Sequence, residues 1–255
     1  MSIPLSFVST LASPRAGTSL GDHLAEQVTD SGKINTLLDC LCSTSEPAIH
    51  SPDQSRPPLR HCDIHDFVAK FALPYRASRG PLGPNDRVMV VLPTGPENAL
   101  ALLALASYHT CAPLNASCTA TELMDDADRL RAKAIIATRE SEQRLDLRRL
   151  RDQLQCEVVY VEPRFSGPAG LFDMSLLGSS SSLALDDEKR REPSQLHRLH
   201  DQSLVLHTSG TSGKKKVVPY TLRSLIVGTC AVALSWELKP SDVNSEYYIR
   251  FMYNI

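Results

Sequence analysis

"DRVMVVLPTGPENALALLALASYHTCAPLNASCTATELMDDADRLRAKAIIAT", residues 86–138, alternates apolar, β-rich runs with helical patterns, the sequence form of parallel strands joined by crossover helices. RVMVVLP is the first clear strand. Thr94-Gly95-Pro96 starts a helix, because proline at the first helical position lacks an N–H that would be orphaned there anyway. The helix that follows is apolar on nearly every side, as befits one covered by other layers, and is expected to end near His109. CAPLN is a short second strand. Thr119 or Thr121 then caps a helix whose Leu123, Ala127 and Leu130 form one stripe, while Glu122, Asp125, Asp126 and Asp128 are expected to face water. AIIAT, 134–138, is the third strand.

The alternation continues downstream. A helix over roughly 140–155 carries Leu147, Leu150 and Leu154 on one stripe, and EVVYVE is a fourth strand. Between 163 and 202 the pattern gives way to Gly167, Pro168, Gly170, a serine run and the polar DDEKRREPSQLHRLH, which reads as an exposed connector. Periodicity returns with SLVLHT, a glycine-containing loop, VVPY, and a helix that Thr221 can cap, from about Leu222 to Trp236. Upstream, 34–44 and 64–72 read as helices and PAIHS as a short strand. The expected fold class is α/β: a layered, mostly parallel, doubly wound sheet flanked by helices. No internal repeat of fixed period is present.

The loop within LVLHTSGTSGKKKVVPY, 204–220, concentrates hydroxyls, glycines and lysines without a carboxylate. Gly210 and Gly213 permit positive φ and close approach of backbone, so that successive N–H groups converge on an anion. Thr208, Ser209, Thr211 and Ser212 add neutral donors and Lys216 adds a charge. The ligand chemistry this suits is a polyphosphate, which itself supplies the negative charge. A flexible Ser/Gly turn is the bland alternative, disfavoured by the strand-like runs on both sides. The spacing does not fit a P-loop NTPase, since Lys216 is followed by Val217 rather than Ser or Thr.

TSGTSGKKKVV resembles the phosphate loop of the adenylate-forming superfamily, the acyl-CoA synthetases, non-ribosomal peptide adenylation domains and luciferases, usually written [ST]SG[ST]TGxPKGV. The stretch 86–138 is similar to that family's N-terminal region, with its PLNP-like turn. The resemblance implies attack of a carboxylate on the α-phosphorus of ATP, giving an acyl-adenylate and pyrophosphate, followed by transfer to a thiol of CoA or a carrier protein. It implies ATP and Mg²⁺ as ligands, with Thr208, Ser209, Gly210, Thr211, Ser212, Gly213 and Lys216 as the binding residues. Lys215 stands where the family usually has proline, and Val217 where it has glycine. After SWELKPSDV, 235–243, the family pattern continues into a second sheet, a YGxTE-like motif, a ribose-binding aspartate and a small domain with the adenylation lysine; no such motifs follow here. The expectation is therefore the N-terminal part of an adenylate-forming fold: a disordered leader at 1–20, a partial domain over 21–240, and an atypical aromatic tail, 241–255, with no catalytic residue to nominate and no activity alone. The rival reading is a non-catalytic interaction or regulatory protein built on the same partial fold, with self-association through unpaired sheet edges.

Bulk properties set the remaining limits. A hydrophobic content of 42% supports a sizeable core, and a net charge of −2 gives no general pull toward nucleic acid or anionic membrane. Seven cysteines without a CxxC pair favour reduced thiols and a cytoplasmic location. The apolar stretches at 99–108 and 225–236 are shorter than the roughly 20 residues a membrane span needs. HCDIHDF, 61–67, invites a metal reading, but Asp63 fits a helix cap and no second ligand cluster accompanies it, so no metal site is expected. His197 and His200 are expected to be solvated, and RLDLRRLRDQL to be a solvent face.

Overall fold

A computed structural model describes residues 32, 34–41, 43–52, 54–76, 78–178, 195–208 and 216–236. Its centre is a seven-stranded sheet of β3 (Arg87–Val91), β4 (Thr110–Pro113), β5 (Ala134–Ala137), β6 (Glu157–Pro163), β7 (Phe172–Leu176), β8 (Gln202–Thr208) and β9 (Lys216–Thr221), in the spatial order β7-β6-β5-β3-β4-β8-β9. The five inner strands run parallel; β7 and β9 close the edges antiparallel to their neighbours. A small antiparallel pair, β1 (Pro47–Ile49) and β2 (Leu59–Arg60), lies outside it.

The inner strands are apolar through their middles because both faces are covered there. Val88, Val90, Ile136, Val159 and Val161 face one core with α1 (His61–Ala69) and α2 (Pro96–Tyr108). Met89, Val91, Ile135, Val158 and Tyr160 face the other, with α3 (Ala120–Leu130) and α4 (Leu147–Leu154). Gly95 caps α2 and Pro96 follows at its first position; no residue of this helix is exposed, as its all-round apolarity requires. The Tyr108 hydroxyl donates to Val68 O at 2.8 Å and fastens α2 to α1. In α3 the capping residue is Thr119: its hydroxyl accepts from Glu122 N at 3.2 Å, and the Glu122 carboxylate accepts from Thr119 N at 2.8 Å. α5 (Leu222–Ser235) packs on β8 and β9, with Leu222 and Ile226 meeting Ile34 in a third, smaller core.

Four sequence expectations need correction. The stretch 163–202 is not wholly an exposed connector. It contains β7, which returns along β6 with Phe172 and Met174 buried, after a turn in which Gly170 takes φ +96. His197 is fully buried, not solvated: its Nδ1 lies 3.1 Å from Ala106 O, its Nε2 2.7 Å from Pro84 O, and its backbone N–H donates to Ser107 O at 2.8 Å. Residues 34–44 form only a 3₁₀ turn at Leu38–Cys40, because the Asp39 carboxylate accepts the N–H groups of Asn35 at 2.9 Å and Thr36 at 2.8 Å, a local alternative to a regular helix. Finally, Asp126 is buried at 5% exposure, whereas Glu122, Asp125 and Asp128 are exposed as expected. The leader at 1–20, the serine run at 179–182 and the tail at 241–255 lie outside the described residues.

Candidate functional site: the β8–β9 hairpin

β8 sits beside β4, joined by the Cys111–Leu204 register and by the Thr110 hydroxyl donating to Gln202 O at 2.8 Å. Because β8 is parallel to the inner strands, Thr208 emerges at the edge of the sheet where all their carboxyl ends lie. That edge is where ligands of open α/β sheets bind. β9 returns antiparallel, and the register pairs His207 with Val217 and Thr208 with Lys216. Thr208 and Lys216 therefore stand opposite one another as the two feet of the loop, Thr208 half-buried and Lys216 exposed. Ser209, Gly210, Thr211, Ser212 and Gly213 join those feet and lie outside the described residues.

Each foot is braced. On β8, Leu204 and Leu206 alternate with Val205 between the two cores. On the β9 side the Thr221 hydroxyl accepts from Ser224 N at 3.2 Å, capping α5 as expected, so the exit of the hairpin is locked to a helix start. His207 points to the same face as Val205, its side chain 7% exposed, with Nε2 4.0 Å from Asp126 Oδ1 on α3. The same Asp126 oxygen accepts from Arg129 Nη2 at 2.7 Å. Neither Asp126 nor His207 was singled out from sequence. The signal was present: Asp126 falls between Leu123 and Leu130 on the apolar stripe, and His207 occupies an inward position of an alternating strand.

Elsewhere the titratable groups are structural. Asp63 accepts from Arg60 N at 3.2 Å at the start of α1, and no group of three or more metal-ligating side chains occurs among the described residues. Arg148, on the basic helix α4, pairs with Glu142 at 2.6 Å and is largely exposed. The Tyr160 hydroxyl donates to the Glu142 carboxylate; burial, then that bond, pushes the phenol well above its ordinary range. The six described cysteines are free, and burial raises Cys40 to about 12 and Cys156 to about 11. No helix among the described residues is long and apolar enough to cross a membrane.

The profile of the AMP-binding enzyme family matches residues 66–248, a span that takes in both feet of the hairpin. The chain belongs to the AMP-binding enzyme family. Among curated proteins, it is 26% identical over 188 residues to an oxalate–CoA ligase of Arabidopsis thaliana, covering 72% of this chain and 34% of that one. It is 27% identical over 169 residues to an aldehyde reductase, lnaA, of Aspergillus flavus, covering 66% of this chain and 14% of that protein. Thus this member of the AMP-binding family spans about a third or less of these relatives. Among solved structures, ATP-bound MatB from Rhodopseudomonas palustris superposes with a TM-score of 0.62 at 17% identity, covering 90% of this chain and 41% of that one. Acetoacetyl-CoA synthetase from Streptomyces lividans superposes with a TM-score of 0.55 at 18% identity, covering 88% and 33% respectively. At such identities the superpositions establish the fold, that of the N-terminal part of adenylate-forming enzymes.

Proposed function

We propose that this chain carries the polyphosphate-gripping part of an adenylate-forming acid–thiol ligase. The observation that carries the reading is the placement of the hairpin: a hydroxyl- and glycine-rich loop whose feet, Thr208 and Lys216, face each other at the carboxyl edge of a parallel sheet. Neutral donors and a lysine, with no acid in the loop sequence, suit the β- and γ-phosphates of ATP. Mg²⁺ would arrive with the nucleotide, the hydroxyls of the loop completing its oxygen shell. In the reaction proposed, a carboxylic acid is activated on ATP and passed to the thiol of CoA or a carrier protein. Thr208, Ser209, Gly210, Thr211, Ser212, Gly213 and Lys216 hold the departing pyrophosphate and stabilise the charge that develops on it.

The same reading makes the isolated chain a binder and not a catalyst. Adenylation needs the acyl pocket, adenine contacts and phosphate grip held together, and only the last is assigned here. A cytoplasmic setting belongs to the proposal. So does self-association: β9 is an edge strand with Val217 37% exposed, and α5 leaves Val232 at 45% and Trp236 at 44%, a surface that also favours the non-catalytic, interacting alternative.

Calorimetric titration with Mg·ATP, alongside pyrophosphate exchange over a panel of carboxylic acids, tests the reading. Saturable ATP binding without exchange is the expected result. Lys216→Ala should weaken binding about tenfold or more, since a hydrogen bond to a charged group contributes about 1.5–3 kcal/mol. A chain that assembles into a discrete oligomer and takes up no ATP supports the interaction protein instead.

A further inference from the structure

We propose that His109 and His197 form an acid-released latch at the amino edge of the sheet, holding the turn before β3 and the approach to β8 against the end of α2. The latch lies at the edge opposite the hairpin loop and stands whether or not that loop grips phosphate. α2 ends at Tyr108, and the last turn of a helix leaves carbonyls without partners inside it. The chain around the start of β8 supplies those partners. His197 N donates to Ser107 O at 2.8 Å, its Nδ1 lies 3.1 Å from Ala106 O, and Ser203 Oγ donates to the same Ala106 oxygen at 2.5 Å. Both rings hold the turn before β3, His197 Nε2 at 2.7 Å from Pro84 O and His109 Nδ1 at 3.0 Å from Gly83 O. Both histidines are fully buried.

The two rings differ in what a second proton would meet. His197 faces a carbonyl at each nitrogen, so hydrogen on both finds acceptors. His109 carries its hydrogen on Nδ1 to bind Gly83 O, and its Nε2 is buried with no partner. A proton added there is a donor without an acceptor and a charge without solvent, and both are costly. Burial, and charge on His197, work against that proton, while the Gly83 carbonyl and Asp86 of the turn favour it. Asp86 also accepts from Gly83 N at 2.8 Å, and on the approach to β8 the Asp201 carboxylate accepts from Arg198 N at 2.6 Å. The closed latch therefore refuses a proton that an exposed imidazole takes near pH 6.5. Acid opens it.

The opening is local. β8 shares one registered pair with β4, Leu204 with Cys111, so the latch adds directly to its hold at this edge, together with the Thr110 hydroxyl that donates to Gln202 O. β5 and β6, by contrast, are registered through four successive pairs and meet neither histidine in a hydrogen bond. An opening linked to one proton grows by up to about tenfold per pH unit once the pH is below about 6.5.

Hydrogen exchange of the wild-type chain, followed by mass spectrometry at pH 7.5, 6.5 and 5.5 and referred to the intrinsic exchange rate at each pH, tests the latch. Between pH 7.5 and 5.5, peptides spanning 83–88, 105–111 and 195–204 should lose several-fold and up to about tenfold in protection, while those of β5 and β6 change less than about twofold. His109→Gln should remove this slope, and His197→Gln should lower the protection of 195–204 at all three pH values. The ring nitrogen signals of wild-type His109, a readout that needs no variant, should be those of a mostly neutral imidazole with hydrogen on Nδ1 at pH 6.5. No loss of protection in acid, an even loss across the whole sheet, a slope that survives in His109→Gln, or a His109 ring already half charged at pH 6.5 overturns the inference.

Discussion

Glu157→Gln removes a buried charge from the edge of the sheet opposite the hairpin, and its cost can be bracketed. The Glu157 side chain is 3% exposed at the amino end of β6. Arg76 binds one carboxylate oxygen and also donates to Leu177 O, and Arg79 Nε lies 3.4 Å from the other oxygen without a directed hydrogen bond to it. Both arginines come from the segment between α1 and β3, so the acid pins that segment to the sheet. Breaking a fully buried pair costs about 3–5 kcal/mol, and breaking an exposed one about 0–1. Here the acid is buried but the arginine side chains retain 31% and 29% exposure, so water can recover part of their solvation. The expected cost is about 2 kcal/mol, or a fall of roughly 4–8 °C in melting temperature for a chain of this size. Arg148→Gln, which breaks a pair with a 66% exposed arginine, should cost about 0–1 kcal/mol and lower the melt by no more than about 2–4 °C, and is the matched control. Melting both variants at low and at 1 M NaCl completes the test. A Glu157→Gln melt indistinguishable from wild type, or a deficit abolished by salt, would refute the argument, because a buried pair is poorly screened.

Other outcomes follow from the same geometry. Gly170→Ala should destabilise by about 1–2 kcal/mol: φ there is +96, and a new Cβ would lie 3.2 Å from Pro96 O at the start of α2, measurable by urea unfolding. Thr119→Ala breaks the reciprocal cap of α3 and should cost about 1 kcal/mol in the same assay. Burial holds His109 below its ordinary range, and charge on His197 adds to this, against the opposing Gly83 carbonyl and Asp86. The unfolded chain therefore binds a proton near pH 6.5 that the folded chain refuses; this stability is full above about pH 6.5 and falls as pH drops toward the folded value. His109→Gln should flatten the pH dependence of the urea midpoint between about 7 and 5. Cys111, fully buried with its thiol pushed far up, and Cys156 should resist alkylation at about pH 8 until denaturant is added.

The parallel heart of the fold was legible because the middles of its inner strands are buried on both sides and so spell short apolar runs, punctuated by Gly95-Pro96 and Thr119 at the helix starts. β7 was not, since FDMSL is short, half polar and framed by the Gly167-Pro168-Gly170 turn, and its partner β6 lies just upstream across that turn. Asp126 escaped notice because acids on a helix are ordinarily assigned to water, whereas this one shares the buried face of Leu123, Ala127 and Leu130. His197 escaped for a related reason: its partners are backbone carbonyls of Pro84 and Ala106, and nothing in the residue types at those positions announces an acceptor. Of the candidate site, the motif and its two flanking strands could be read from the chain; the burial of His207 and Asp126 beside one another could not.

β3 lies between β4 and β5, yet it is the first strand of the sheet to be made, and each of its neighbours is reached only after a helix-long detour. During synthesis it must therefore wait, apolar on both sides, until the ribosome has delivered β5. The β8–β9 hairpin needs no such patience, since its two strands are close in the chain and can zip together on their own. The exposed interval falls on the β3 segment, so a holdase that captures nascent chains of this protein should contact Arg87–Val91 and release it once Ala137 has emerged.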